Sequence, residues 1–190
     1  HERAELLRHR GYSSRRMDGF QTARLRADRL QPLHLPDLLA MHEDARQMAT
    51  LGGVRDHVWT MAYLERNLAH WDTHGFGLWM LRRLDGGPVI GRGLLRHLDV
   101  EGVPEVEIGY SFHPEHWGCG YATEIAVACL AVGRETYGFT RMVALTLPTN
   151  TGSRHVLEKA GLAYERDVVH ASQPHVLYRT RSSSTASTGR

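Results

Sequence analysis

His113-Pro114-Glu115-His116-Trp117-Gly118-Cys119-Gly120-Tyr121-Ala122-Thr123-Glu124 is the glycine-rich passage that joins a strand pattern to a helix pattern in this chain. Two alternating glycines stand directly before the helix. Glycine accepts left-handed backbone angles and lets a ligand come close to the main chain. The first helical turn adds N–H groups without intrahelical partners and the positive end of the helix dipole. Together these features make a cradle for a diphosphate. An ordinary tight turn can look the same. Two better-known phosphate loops do not fit. A nucleoside-triphosphate loop needs Gly-Lys-Ser/Thr, and no lysine stands here. A dinucleotide fingerprint needs a third glycine where Ala122 stands, and an acidic residue after the following strand; Glu135 falls inside the helix. His113, His116 and Cys119 lack a fourth metal ligand, so no metal is expected.

Outward from this loop, the pattern predicts a strand over 105–112 before it and a helix over 121–137 after it. Further upstream come a strand over 22–30, a helix over 36–48 with Pro36 at a tolerated first-turn position, and a helix over 58–71. Strands over 76–83 and 89–98 flank the turn Asp85-Gly86-Gly87 as a hairpin. Downstream are a strand over 141–147, a short helix over 151–160 stopped by Gly161, and two strands near 163–169 and 175–179. This order predicts an α/β (α+β) fold: a mixed, mostly antiparallel sheet of about seven strands and about four helices, with one parallel crossover at the long helix. Trp59, Tyr63, Trp71, Phe76 and Trp79 read mainly as core. Leu51-Gly52-Gly53-Val54 reads as a turn that borders a pocket.

The 190 residues suit one domain: a polar extension over 1–19, a folded domain over 20–180 and a disordered tail over 181–190. Met17 is a candidate natural start. The basic N-terminus is followed by no apolar stretch and no run reaches membrane-spanning length, so the expected location is cytoplasmic, without membrane contact. Cys119 and Cys129 are placed in one helix about 15 Å apart, too far for a disulfide. Net charge is +2 and Lys159 is the sole lysine. Basic and acidic residues are interspersed, with no basic stripe for nucleic acid.

Two segments together carry a family resemblance. One is Glu107-Ile108-Gly109-Tyr110-Ser111-Phe112-His113-Pro114, continuing through Trp117-Gly118-Cys119-Gly120-Tyr121-Ala122-Thr123-Glu124. The other is Asn150-Thr151-Gly152-Ser153-Arg154-His155-Val156-Leu157-Glu158-Lys159-Ala160-Gly161-Leu162. Over residues 20–179 the sequence resembles the GNAT superfamily of N-acetyltransferases, in particular the branch of ribosomal-protein N-terminal (alanine) acetyltransferases. Thr22-Ala23-Arg24-Leu25 fits that branch. The resemblance implies a sheet splayed between the 105–112 and 141–147 strands, with acetyl-CoA entering the gap and an amine acceptor arriving from the other side. The acceptor would be a protein N-terminus or a small-molecule amine. A homodimer is compatible with the reading, although no sequence feature calls for one.

The resemblance also implies roles. A protonated amine must lose a proton before it attacks a thioester. Alternation sets Glu107 on one face with Gly109 and Ser111, and Glu107 is expected to be the base. Backbone N–H groups near Tyr110, Ser111 and Phe112 would receive the developing negative charge. Many members place a general-acid tyrosine where Leu157 stands; in the branch resembled a serine serves, and Ser153 matches it. Cofactor contacts are expected at Tyr110, Ser111, Phe112, His113, Trp117, Gly118, Cys119, Gly120, Tyr121, Ala122, Thr123, Asn150, Ser153 and Arg154. Trp117 replaces the Gln or Arg that many members carry before the first loop glycine. Glu124 reads as pairing with the helix dipole. Two alternatives share the same residues: a non-catalytic acyl-CoA-binding module, which would not need Glu107 or Ser153, and a nucleotide-binding regulator, which would bind ATP.

Overall fold

The computed structural model of the protein describes residues 17–181. Of the predicted extension over 1–19 and tail over 181–190, residues 1–16 and 182–190 lie outside the described residues, and Gly19 already belongs to the first strand. Strands β1 (Gly19–Gln21), β2 (Leu25–Arg29), β3 (Leu78–Arg83), β4 (Gly86–Val100), β5 (Val103–Phe112), β6 (Val143–Thr146), β7 (Leu162–His170) and β8 (Gln173–Thr180) form one sheet in the order β1-β2-β3-β4-β5-β6-β8-β7. All neighbours are antiparallel except β5 and β6. Helices α1 (Leu35–Glu43), α2 (Ala45–Met48) and α3 (His57–His74) lie between β2 and β3. Helix α4 (Tyr121–Glu135) makes the parallel crossover, and α5 (Thr151–Lys159) follows β6.

The structure carries one strand and one helix more than expected, for local reasons. Thr22 N–H donates to the Leu25 carbonyl at 2.8 Å and Leu25 N–H to Thr22 Oγ1 at 3.0 Å, so the predicted 22–30 strand turns back on itself and frees Gly19–Gln21 as β1. The predicted 36–48 helix breaks at Asp44, whose carboxylate accepts from the N–H groups of Arg46 and Gln47 and starts a new helix. The placement of both cysteines in one helix is corrected: α4 begins at Tyr121, so exposed Cys119 belongs to the loop, while Cys129 is buried with its thiol pushed up to about 12 by burial.

Leu25, Trp71, Trp79, Leu81, Ile125 and Tyr178 are fully buried in one continuous core. Helix α4 lies directly on β4 because Gly93 leaves room: a Cβ there would sit 2.8 Å from Ile125 Cγ1. Helix α3 begins at His57 behind Asp56, whose carboxylate accepts from Trp59 N–H at 2.8 Å. Among the described residues no helix is long and apolar enough to cross a membrane.

Candidate active site

Strand β5 organises the site. It pairs with β4 from Val103 to Phe112. On its other edge it meets β6 only at Glu107↔Val143. No strand covers that edge between Glu107 and Phe112, which is the expected splay. Residues directly opposite in an antiparallel pair share a face. Tyr110 lies opposite Gly93, which abuts α4. Glu107 lies opposite Arg96 and Ser111 opposite Arg92 on the other face. There Gln47 of α2 donates to Ser111 Oγ at 2.8 Å.

On the α4 side, Pro114–His116 form a short 3-10 turn, and His113 N–H anchors its start on the Ile90 carbonyl at 2.9 Å. Trp117 is half exposed, and its indole N–H donates to the Phe112 carbonyl at 2.9 Å. Phe112 stacks on Tyr121. Gly118 (φ 73°) and Gly120 (φ 81°) occupy the left-handed region, and a Cβ on Gly118 would meet nothing within 4 Å. Gly120 caps α4 without a side chain. Among the described residues the N–H groups of Tyr121, Ala122 and Thr123 therefore find no hydrogen-bond partner; Glu124 N–H is the first to join the ladder, on the Gly120 carbonyl. Open glycines beside three unmet donors fit the diphosphate of CoA.

Arg24 completes this wall. Its guanidinium donates to the Cys119 carbonyl at 2.9 Å and to Glu124 Oε2 at 2.7 Å, and it covers the Tyr121 ring at 4.6 Å. Glu124 also accepts from Thr22 Oγ1 and from Arg24 N–H, so it ties the β1–β2 turn to the loop beyond any dipole pairing. Burial alone would raise the Glu124 carboxyl; hydrogen bonds from Thr22 and Arg24 outweigh it and hold the group low.

At the start of α5, Asn150 Oδ1 accepts from Ser153 N–H at 3.0 Å. Ser153 is thus the capped residue and not the cap. Its hydroxyl lies 3.1 Å from the Tyr110 hydroxyl, which also reaches the Ser153 carbonyl at 3.2 Å. Burial pushes Tyr110 up to about 12, against a smaller opposing effect of Ser153, so the phenol keeps its proton. Arg154 donates from Nε to the Tyr178 hydroxyl at 3.2 Å and from one Nη to the Pro148 carbonyl at 3.1 Å.

On the opposite face, Glu107 is buried, and Arg96 Nε donates to its Oε2 at 2.5 Å. Oε1 makes no hydrogen bond among the described residues. The charge of Glu107, opposed in part by burial, holds Arg96 above the ordinary arginine range. His170, on β7, lies within the electrostatic reach of Glu107, although burial dominates and lowers its pKa. Two residues away, Glu105 is held through both oxygens by Arg179 at 2.9 and 2.6 Å.

The same face carries groups that sequence reading missed. His42 Nε2 accepts from Arg92 at 2.7 Å, and its Nδ1–H donates to Thr60 Oγ1 at 2.9 Å. Burial, then the charges of Arg92 and Arg55, lower His42 to about 3. Trp59 and Tyr63 stack beside it. The turn with Gly52 and Gly53 leads into Arg55. No local signal marks His42, Arg92 or Gln47, because each acquires its neighbours only when α1 to α3 fold over the sheet.

Comparison with known proteins gives one family and a consistent fold. The acetyltransferase (GNAT) domain model matches residues 24–163. YkkB of Bacillus subtilis, a protein without an assigned activity, is 31% identical over 142 residues, covering 75% of this chain and 83% of YkkB. An acetyltransferase structure from Agrobacterium tumefaciens superposes with a TM-score of 0.77 at 25% identity, over 87% of this chain and 95% of that one. RimL, a ribosomal L7/L12 α-N-protein acetyltransferase solved with coenzyme A, shares the fold at a TM-score of 0.68 and 14% identity, over 85% of this chain and 96% of RimL.

Proposed function

The chain belongs to the GNAT acetyltransferase family, and on that premise we propose that it passes the acetyl group of acetyl-CoA directly to a primary amine in a ternary complex, with the cosubstrate on the Tyr110 face of β5 and the amine on the Glu107 face. Membership makes it an acetyl-CoA-dependent acetyltransferase. The acceptor class is either a protein N-terminus, as in RimL, or a small-molecule amine.

Acetyl-CoA supplies an activated thioester. The amides of Tyr121, Ala122 and Thr123, with Gly118 and Gly120, are the groups that would hold its diphosphate. Arg24 and Glu124 fix the loop that presents them. Glu107 Oε1 takes a proton from the arriving ammonium group, directly or through water, while Arg96 keeps the carboxylate oriented through Oε2. The unpaired edge of β5 near Tyr110 to Phe112 offers main-chain donors for charge that develops on the carbonyl oxygen. Tyr110 and Ser153 form a two-hydroxyl chain that delivers a proton to the departing thiolate.

One observation carries the proposal: a single strand, open along one edge, places a half-bonded carboxylate on one face and a hydroxyl pair on the other. The test is a thiol-release assay with acetyl-CoA and a panel of primary amines. Amine-dependent release is the expected result. Tight CoA binding without release for any amine would contradict the transfer step.

A further inference from the structure

Arg92 is a buried cation without an anion. Only 8% of its surface is exposed, at the middle of the sheet on the Glu107 face. One guanidinium nitrogen donates to neutral His42, and its Cζ lies 5.0 Å from the Tyr63 ring centroid. Among the described residues no carboxylate pairs with it and its remaining N–H groups find no hydrogen-bond partner. Two neighbouring arginines on this face do have carboxylates: Arg96 has Glu107, and Arg179 has Glu105 and Glu165. A desolvated charge without a counterion is costly, and a ring face offsets only part of that cost.

Two independent groups beside Arg92 are also short of partners. Arg55, whose Cζ lies 4.9 Å over Trp59, has a buried Nε without a hydrogen-bond partner and no carboxylate. Arg55 main-chain N–H donates to the His42 carbonyl at 2.9 Å, and its guanidinium lies over Trp59, whose ring packs edge-on to His42, so both arginines flank that histidine. Gln47 Oε1 is a buried acceptor with no donor, although its amide nitrogen is fixed on Ser111. Ser111 is the residue directly opposite Arg92. The cluster therefore presents two forked cations and one free acceptor on the acceptor face. A guanidinium fork matches a planar carboxylate through paired N–H donors.

We infer that Arg92, with Arg55 at the rim, binds a carboxylate carried by the amine acceptor, so that the substrate class is an amino-carboxylate and not a simple amine or a polyamine. The inference rests on the acetyltransferase reading. Arg92↔Ser111 stands four residues along β4 from Arg96↔Glu107, or about 13 Å at the usual strand rise. With the amine at Glu107 and the carboxylate at Arg92, an acceptor whose two groups are several bonds apart fits better than an α-amino acid.

The experiment compares ω-amino acids of increasing chain length with their carboxamides, in free form, as acetyl acceptors. Acetyl-CoA affinity is measured separately by calorimetry. The expected result is a kcat/KM preference of about tenfold to a hundredfold for carboxylates over carboxamides, mostly in KM. Arg92→Met should bring that ratio near one while acetyl-CoA affinity stays unchanged. If Arg92→Met does not fold, Arg55→Gln at the half-exposed rim should still reduce the ratio severalfold. Equal use of both series by the unaltered protein, use of neither, or a preference that survives both substitutions would overturn the inference while leaving acetyl-CoA binding intact. Absence of acetyl-CoA binding would instead sink the acetyltransferase reading, and the inference with it.

Discussion

The two faces of β5 are built by opposite means. The α4 face draws the groups proposed for the cosubstrate from one unbroken segment, Trp117 to Thr123, and most of them are main-chain N–H groups set by two left-handed glycines. The α1–α3 face takes its groups from side chains far apart in the chain: His42, Gln47, Arg55, Arg92, Arg96 and Glu107. A main-chain cradle suits a cosubstrate common to a whole family. A side-chain cluster from several elements can change with the acceptor and leave the cradle alone.

The largest expected effect separates two carboxylates on the second face. Glu107→Gln should lower kcat by about 10²- to 10⁴-fold, with CoA affinity changed little, because it removes the proposed base and nothing from the cradle. Glu105→Gln, on the same face, should leave kcat within about twofold and instead cost about 1–3 kcal/mol of stability, since both Glu105 oxygens serve Arg179. Steady-state kinetics with denaturant titration reads both. Similar kinetic losses at the two positions would break the contrast.

Next in size is the hydroxyl chain. Tyr110→Phe and Ser153→Ala should each lower kcat by about 10²-fold. If the two hydroxyls pass one proton, the double variant loses no more than the worse single. Multiplying losses would mean two independent roles.

The cradle comes third. Gly120→Ala forces a side chain into φ 81° and places its Cβ 3.3 Å from an Arg24 nitrogen. CoA affinity should fall about tenfold in calorimetry, with kcat at saturating acetyl-CoA nearly unchanged.

How much was legible in the sequence follows the same division. The loop, the crossover, the pairing of Glu107 with small neighbours and the α5 cap are local patterns, and strand alternation alone put Glu107 and Tyr110 on opposite faces. The break at Asp44 was missed because a capping aspartate inside an apolar helical pattern looks like a solvated residue. The role of Arg24 was out of reach, since its partners lie about 100 residues away. Arg96 as the partner of Glu107 depends on the register of the β4–β5 hairpin, which no residue type announces.

The smallest effect concerns a buried histidine of α3, His70, and it is a matter of pH. His70 Nδ1–H donates to the Phe76 carbonyl at 2.8 Å, and Nε2 accepts from His97 N–H at 3.1 Å, so neither nitrogen can accommodate a further proton. Burial lowers His70 to about 4. The unfolded chain, with a histidine pKa of about 6.5, then binds more protons below that value. Stability is full above about pH 6.5 and declines as pH falls toward 4. Thermal melts should lose about 2–4 °C between pH 6.5 and 5, and His70→Asn should flatten that slope. A flat profile in the unaltered protein would contradict this.

The division between the faces is tested most directly by an amide-resolved NMR titration of the protein with CoA. The largest shifts should fall on Tyr121, Ala122 and Thr123, with Gly118 and Gly120 following and the amides around His42, Gln47 and Arg92 nearly still. Saturable CoA binding that leaves the Tyr121–Thr123 amides unmoved and shifts those around Arg92 would contradict the account.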